Sequence, residues 1–174
     1  MARLSKQAVE VSDILLYRSD LESSLQLFYS ASATNPRFLG YSPSEVREEL
    51  DKRIAELNLT SMLILLSAIE AAFRVDYQLR CYRGPADRLS QAFRKLHKRK
   101  SLRVNLETEI IGAWKDETNV NLKLIGQLRG AFKLRHWIAH GRYWEPKLGK
   151  KYDFVSILAL ATETFTQFPF LRPL

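Results

Sequence analysis

The chain has 174 residues, 46% of them hydrophobic, which is enough for one domain with its own core and too apolar for a disordered segment. Only seven glycines and six prolines argue against a turn-rich β architecture, and a formal charge of +8 suits a polyanionic partner without specifying a fold. One cysteine, Cys81, excludes an intrachain disulfide framework and a cysteine-based zinc site, and charged Met1 to Gln7, with no apolar stretch behind it, does not read as a secretory signal.

The first predicted helix spans Lys6 to Ser32, with Ile14, Leu15, Leu21, Leu25 and Phe28 near helical spacing. Thr34-Asn35-Pro36 stops it. Ser42-Pro43-Ser44-Glu45 starts the second: Ser42 caps, Pro43 suits the first helical position, and Glu45 closes a capping box. This helix runs to the stop at Gly84-Pro85. Unbroken it would exceed roughly 55 Å, so a kink or break is expected near Asn58-Leu59-Thr60-Ser61. Met62 to Tyr77 is apolar nearly all round and is the predicted central core helix. The longest uninterrupted apolar run, Met62 to Leu66, is too short to span a bilayer. Further helices are predicted over Ala86 to Lys100, Asn105 to Asp116 and Asn119 to His140, the last ending on Gly141. A basic, aromatic loop follows from Arg142 to Tyr152, then a helix from Phe154 to about Phe168. No segment sustains period-two alternation and no linker divides the chain. The expectation is therefore a single all-α domain, residues 1–174, built as a bundle of about five to six helices, in a reducing cytoplasm and apart from membranes.

The chemistry concentrates in Leu134-Arg135-His136-Trp137-Ile138-Ala139-His140-Gly141-Arg142-Tyr143-Trp144. Arginine is a permanently charged fork for phosphate. Histidine trades protons near neutral pH. Together they form a minimal kit for breaking a phosphodiester without metal. Arg135 and His140 are five positions apart, about 140° around an ideal helix, so they do not share a face. Convergence on one phosphate needs the reach of arginine, fraying of the last turn, or a second copy of the motif. His136 and His140 are the i, i+4 neighbours.

Arg135-x4-His140, with polar His136 after the arginine, resembles the signature of the HEPN superfamily (higher eukaryotes and prokaryotes nucleotide-binding domains), in which R-x(4–6)-H lies near the end of a late helix. The resemblance implies an all-α bundle and a homodimer that assembles two motifs into one composite site. It implies metal-independent endoribonuclease activity in toxin–antitoxin or phage-defence systems, with RNA as substrate, no cofactor, and an antitoxin protein as a further partner. The RNA 2′-OH would attack the adjacent phosphate and leave a 2′,3′-cyclic phosphate. His140 would move a proton and Arg135 would hold the phosphate against its developing charge. In this family an acidic or polar residue on an early core helix often faces the motif, which assigns Glu70 to orienting Arg135 or His140. Relatives that carry R-x4-H-x-Y have a tyrosine that becomes adenylylated; here Arg142 stands in that position and Tyr143 one later.

Other readings of the same residues stand beside this one. Arg and His near a helix C-terminus also complement its dipole and carbonyls. His136-x3-His140 is a metal-ligand spacing that would need a third ligand such as Glu70 or Asp76. Glu70 is also spaced to pair with Arg74, and Asp76 with Arg80. After the motif, Arg142, Tyr143, Trp144, Lys147, Lys150 and Lys151 interleave cations with aromatics, as single-stranded RNA binding does, or they pack and solvate the bundle. The Arg94–Arg103 cluster is a second candidate for phosphate contact or a solvated face. The functional alternatives to an RNase are a non-catalytic module for binding nucleic acid or protein, and a small metalloenzyme.

Overall fold

The computed structural model describes residues 9–172. It is all-α, with six α-helices and no strand among the described residues. They are α1 (Val11–Ser30), α2 (Pro43–Arg83), α3 (Arg88–Lys100), α4 (Ile111–Glu117), α5 (Leu122–Ala139) and α6 (Phe154–Gln167). Residues Lys6 to Ala8 of the first predicted helix lie outside the described range.

The axis of the fold is α2, with α1, α3, α5 and α6 packed on it. Its start is the predicted capping box: the Glu45 N–H donates to the Ser42 hydroxyl and the Ser42 N–H to the Glu45 carboxylate. It ends at Gly84, where a side chain would collide with the Arg80 backbone, and Pro85 follows.

The expected break at Asn58–Ser61 does not occur; α2 runs unbroken for 41 residues, about 60 Å. Asn58 and Thr60, two of the polar side chains that suggested it, are satisfied without disturbing the helix. Asn58 accepts two hydrogen bonds from Arg18 of α1, at 2.8 and 3.1 Å, and Thr60 donates back to the carbonyls of Glu56 and Leu57.

From α2, Leu65, Leu66, Ile69 and Phe73 are fully buried against Ile110, Ile111, Trp114, Leu124, Leu128 and Ile157. Phe168 and Phe170 return after α6 to meet the Phe73 ring at 5.0 and 4.9 Å. An 18-residue window of α2 reaches a mean hydropathy of 1.5, so by length and composition alone this helix matches a membrane span. Here Leu65, Leu66, Ile69 and Phe73 of that helix pack on the other helices, while Ile64 is exposed.

The predicted helix Asn105 to Asp116 has two parts. Its first turn, Leu106–Ile110, is a π-turn in which the Ile110 N–H reaches the Asn105 carbonyl, and α4 follows. Helix α5 ends as expected on Gly141, at φ 82°. The Gly141 N–H donates to the Ile138 carbonyl and the Arg142 N–H to the Trp137 carbonyl, the paired bonds of a Schellman ending.

Candidate functional site

Helices α2 and α5 bring Glu70 and Arg135 together. Arg135 Nη2 lies 2.9 Å from Glu70 Oε2, and Arg135 Nε donates to the Ser67 hydroxyl at 3.4 Å. The other Glu70 oxygen takes Arg74 Nε at 2.7 Å. Both expected contacts of Glu70 therefore coexist: one carboxylate oxygen holds Arg74 and the other holds Arg135. Glu70 is 16% exposed and Arg135 32%, so the pair is partly shielded while the arginine keeps a solvent-facing side. The other N–H donors of Arg135 have no protein partner among the described residues, which leaves them for a ligand.

Glu70, Arg74 and Arg135 form the floor of an open groove of about 680 Å³. Val104, Asn105 and Glu107 make one wall; Lys133 and His136 line the α5 side; Trp144, Lys147 and Leu148 close it from the loop after α5. The loop is tied down where Trp137 Nε1 donates to the Trp144 carbonyl at 2.6 Å. Tyr152 lies against Gly130, the one residue type on α5 that admits its hydroxyl there.

His140 sits at the end of α5, exposed, and is not among the groove-lining residues. It is linked to the groove through His136, whose ring centroid is 4.2 Å from its own; Trp144 lies 5.9 Å beyond His136, and Tyr143 4.6 Å from Trp144. Arg135 turns inward to Glu70 of α2, while His140, the cap residue after α5, faces solvent.

Of the remaining candidates, Trp144 and Lys147 line the groove. Arg142 turns away to Glu56 of α2, with nitrogen–oxygen distances of 2.8 and 3.1 Å. Tyr143 is 83% exposed. Lys150 lies over the Tyr152 ring, and Lys151 is exposed outside the groove.

Lys133, Ser67 and Asn105 were not singled out from the sequence. Lys133 stands two positions before Arg135, and Ser67 is one turn before Glu70 on the same face of α2, a spacing that could have flagged it. Asn105 carried no such signal.

The metalloenzyme alternative loses ground. The described residues contain no group of three or more His, Cys, Asp or Glu side chains able to hold a metal. Glu70 is shared by two arginines, and Asp76 is consumed by Arg80 and the Leu171 N–H, so neither serves as the third ligand beside His136 and His140. Burial pushes the Cys81 thiol up to about 11, and its Sγ donates to the Phe93 carbonyl at 3.4 Å.

No family model, curated protein or solved structure matches this chain.

Proposed function

We propose that this chain is a HEPN-type, metal-independent endoribonuclease. The observation that carries the proposal is the Glu70-anchored Arg135 on the floor of an open groove, with His136 on the rim and His140 one helical turn further. Arg135 would grip the scissile phosphate through its free donors while Glu70 fixes the fork. The 2′-OH would attack the adjacent phosphorus and lose its proton to a base. The 5′-oxygen of the next nucleotide would leave with a proton from an acid, and a 2′,3′-cyclic phosphate would remain.

His140 is the proton carrier in this scheme. Because His140 lies outside the groove that holds Arg135, the proposal includes a homodimer in which the partner's motif completes the site. RNA is the substrate, the cytoplasm its place, and toxin–antitoxin or phage-defence biology, with a regulating antitoxin protein, its setting.

The same separation of His140 from the groove favours the second reading, a non-catalytic HEPN-like binding module. The two part in one experiment: a mixed-sequence single-stranded RNA incubated in EDTA with wild type, Arg135→Ala and His140→Ala. Cleavage by wild type alone, with 2′,3′-cyclic phosphate ends, is the expected result. Cleavage undiminished in His140→Ala, or none by the wild-type dimer, would overturn the nuclease and leave the binding module.

A further inference from the structure

The positive charge of this chain is not spread over its surface. Residues 88–103 contain seven of the 27 Lys and Arg and none of the 19 Asp and Glu, so this one segment carries +7 of the formal +8. The rest of the chain, the motif loop included, is nearly neutral in sum.

The segment is α3 and the turn after it, and its cations present one face. Leu89, Ser90 and Phe93 are buried against the core, while Lys95, Lys98, Arg99 and Arg103 are exposed. These four make no ion pair and no side-chain hydrogen bond among the described residues. Arg94 is instead consumed by the carbonyls of Arg80 and Pro85, and Lys100 by Glu109. Lys95, Lys98 and Arg99 lie within about 6 Å along the helix axis, with Arg103 in the turn beyond, and four like charges without an ion-pair partner this close repel one another. The helix dipole accounts for cations in the last turn, but not for Lys95, for Arg103, or for sixteen residues without an acid.

The ridge is also held rigid and aimed. Tyr77 donates to the Ser101 carbonyl at 2.8 Å, and Ser101 turns the chain at φ 54°. Directly after Arg103 the chain becomes the wall of the Arg135 groove, at Val104 and Asn105, and Arg74 on the groove floor donates to the Val104 carbonyl.

From this continuity we infer that α3 is the docking track for the RNA strand flanking the cleaved bond, with Lys95, Lys98, Arg99 and Arg103 gripping successive phosphates. The inference rests on the proposed RNA-cleaving site for its direction, but the ridge's affinity for a polyanion stands apart from catalysis. An anionic membrane fits less well: the apolar face that such a helix would insert, Leu89, Phe93 and Leu96, is already packed into the core. RNA asks only for the exposed cations.

The test uses 2′-O-methyl RNA, which lacks the attacking hydroxyl and stays intact, as a 20-mer and a 5-mer, with binding followed by anisotropy from 50 to 200 mM salt. The ridge variant carries Lys95→Gln, Lys98→Gln, Arg99→Gln and Arg103→Gln. A control carries Arg47→Gln, Lys52→Gln, Arg53→Gln and Lys123→Gln, which removes the same charge from other exposed positions. At about 0.7 in salt slope per phosphate contact on a single strand, the ridge variant loses about 3 in slope and at least ~10-fold in 20-mer affinity at 0.1 M salt. Its 5-mer affinity stays within about twofold, and the control keeps its 20-mer affinity. Equal 20-mer affinity and slope in wild type and ridge variant would overturn the inference. So would equal losses in the control, or wild type binding vesicles of anionic lipid in preference to the 20-mer. Failure of the nuclease proposal looks different: no cleavage of unmodified RNA, with the 20-mer affinity still lost in the ridge variant.

Discussion

Glu70→Gln isolates what the carboxylate does for Arg135. The substitution keeps the side chain's size and removes one charge from a pair 2.9 Å apart. The bare attraction at about 4 Å and an effective dielectric of 20 is ~4 kcal/mol. Arg135 is a third exposed, so solvent screening and desolvation reduce this to about 1–2 kcal/mol net. For a chain of this length each kcal/mol moves Tm by about 2–4 °C, so a fall of about 2–8 °C is expected in thermal unfolding.

The kinetic effect is larger and divided. Without its anchor the guanidinium loses alignment, and kcat falls about 10- to 100-fold. Without the competing negative charge, affinity for uncleavable 2′-O-methyl RNA rises about threefold or more. Arg74→Gln is the comparison. It removes the helical partner of Glu70 and the 3.4 Å bond to the Val104 carbonyl while leaving the Glu70–Arg135 pair, and its kcat stays within about threefold of wild type. An unchanged kcat in Glu70→Gln, or an equal loss in Arg74→Gln, would refute the positioning role and reduce Glu70 to a helical ion-pair partner.

Other outcomes follow from particular contacts. Gly141→Ala forces an L-residue to φ 82° at the end of α5, costing about 1–2 kcal/mol in urea unfolding, and it displaces His140 enough to lower cleavage. Asp76→Ala strips the buried Arg80 guanidinium of its main partner and costs about 3 kcal/mol; a loss below ~1 kcal/mol in the same assay would show that Asp87 and the Pro169 carbonyl suffice for Arg80. Burial, opposed by the Leu171 N–H and Arg80, pushes the Asp76 carboxyl up to about 6 from its ordinary 3.8. The folded state therefore binds that proton more tightly than the unfolded one, and the associated stability is present below the lower value and lost as pH rises through the higher. Urea midpoints across this window should rise on acidification in wild type relative to Asp76→Asn; parallel curves would contradict the shift. Gly130→Ala places a Cβ against the Tyr152 hydroxyl, while the gain in helix propensity of about 1 kcal/mol holds Tm near wild type. Trypsin should then cut faster at Lys147, Lys150 and Lys151, and an unchanged cleavage rate would show that Tyr152 does not tether the loop.

Features settled within a few residues were legible in the letters of the chain. The capping box at Ser42 and Glu45, the stop at Gly84-Pro85 and the left-handed turn at Gly141 were legible because one side chain or one φ angle settles each. The all-α class followed from the apolar spacing. The place of His140 at the end of α5 followed from the same spacing.

Tertiary structure decided the rest. The polar run Asn58 to Ser61 reads as a break until Arg18 arrives from α1 to satisfy Asn58. Glu70 is spaced for Arg74, and only the packing of α5 on α2 brings Arg135 to its second oxygen. Arg142 looked like a phosphate contact beside the motif, yet Glu56 claims it from α2. The cluster Arg94–Arg103 could not be parsed from its letters, because which cations are spent on carbonyls and acids and which face water depends on elements that α3 meets only in the folded chain. Hydrogen bonds within a helical turn form from local geometry alone. A groove, an ion pair between helices and an unpaired ridge exist only once burial has chosen which faces meet.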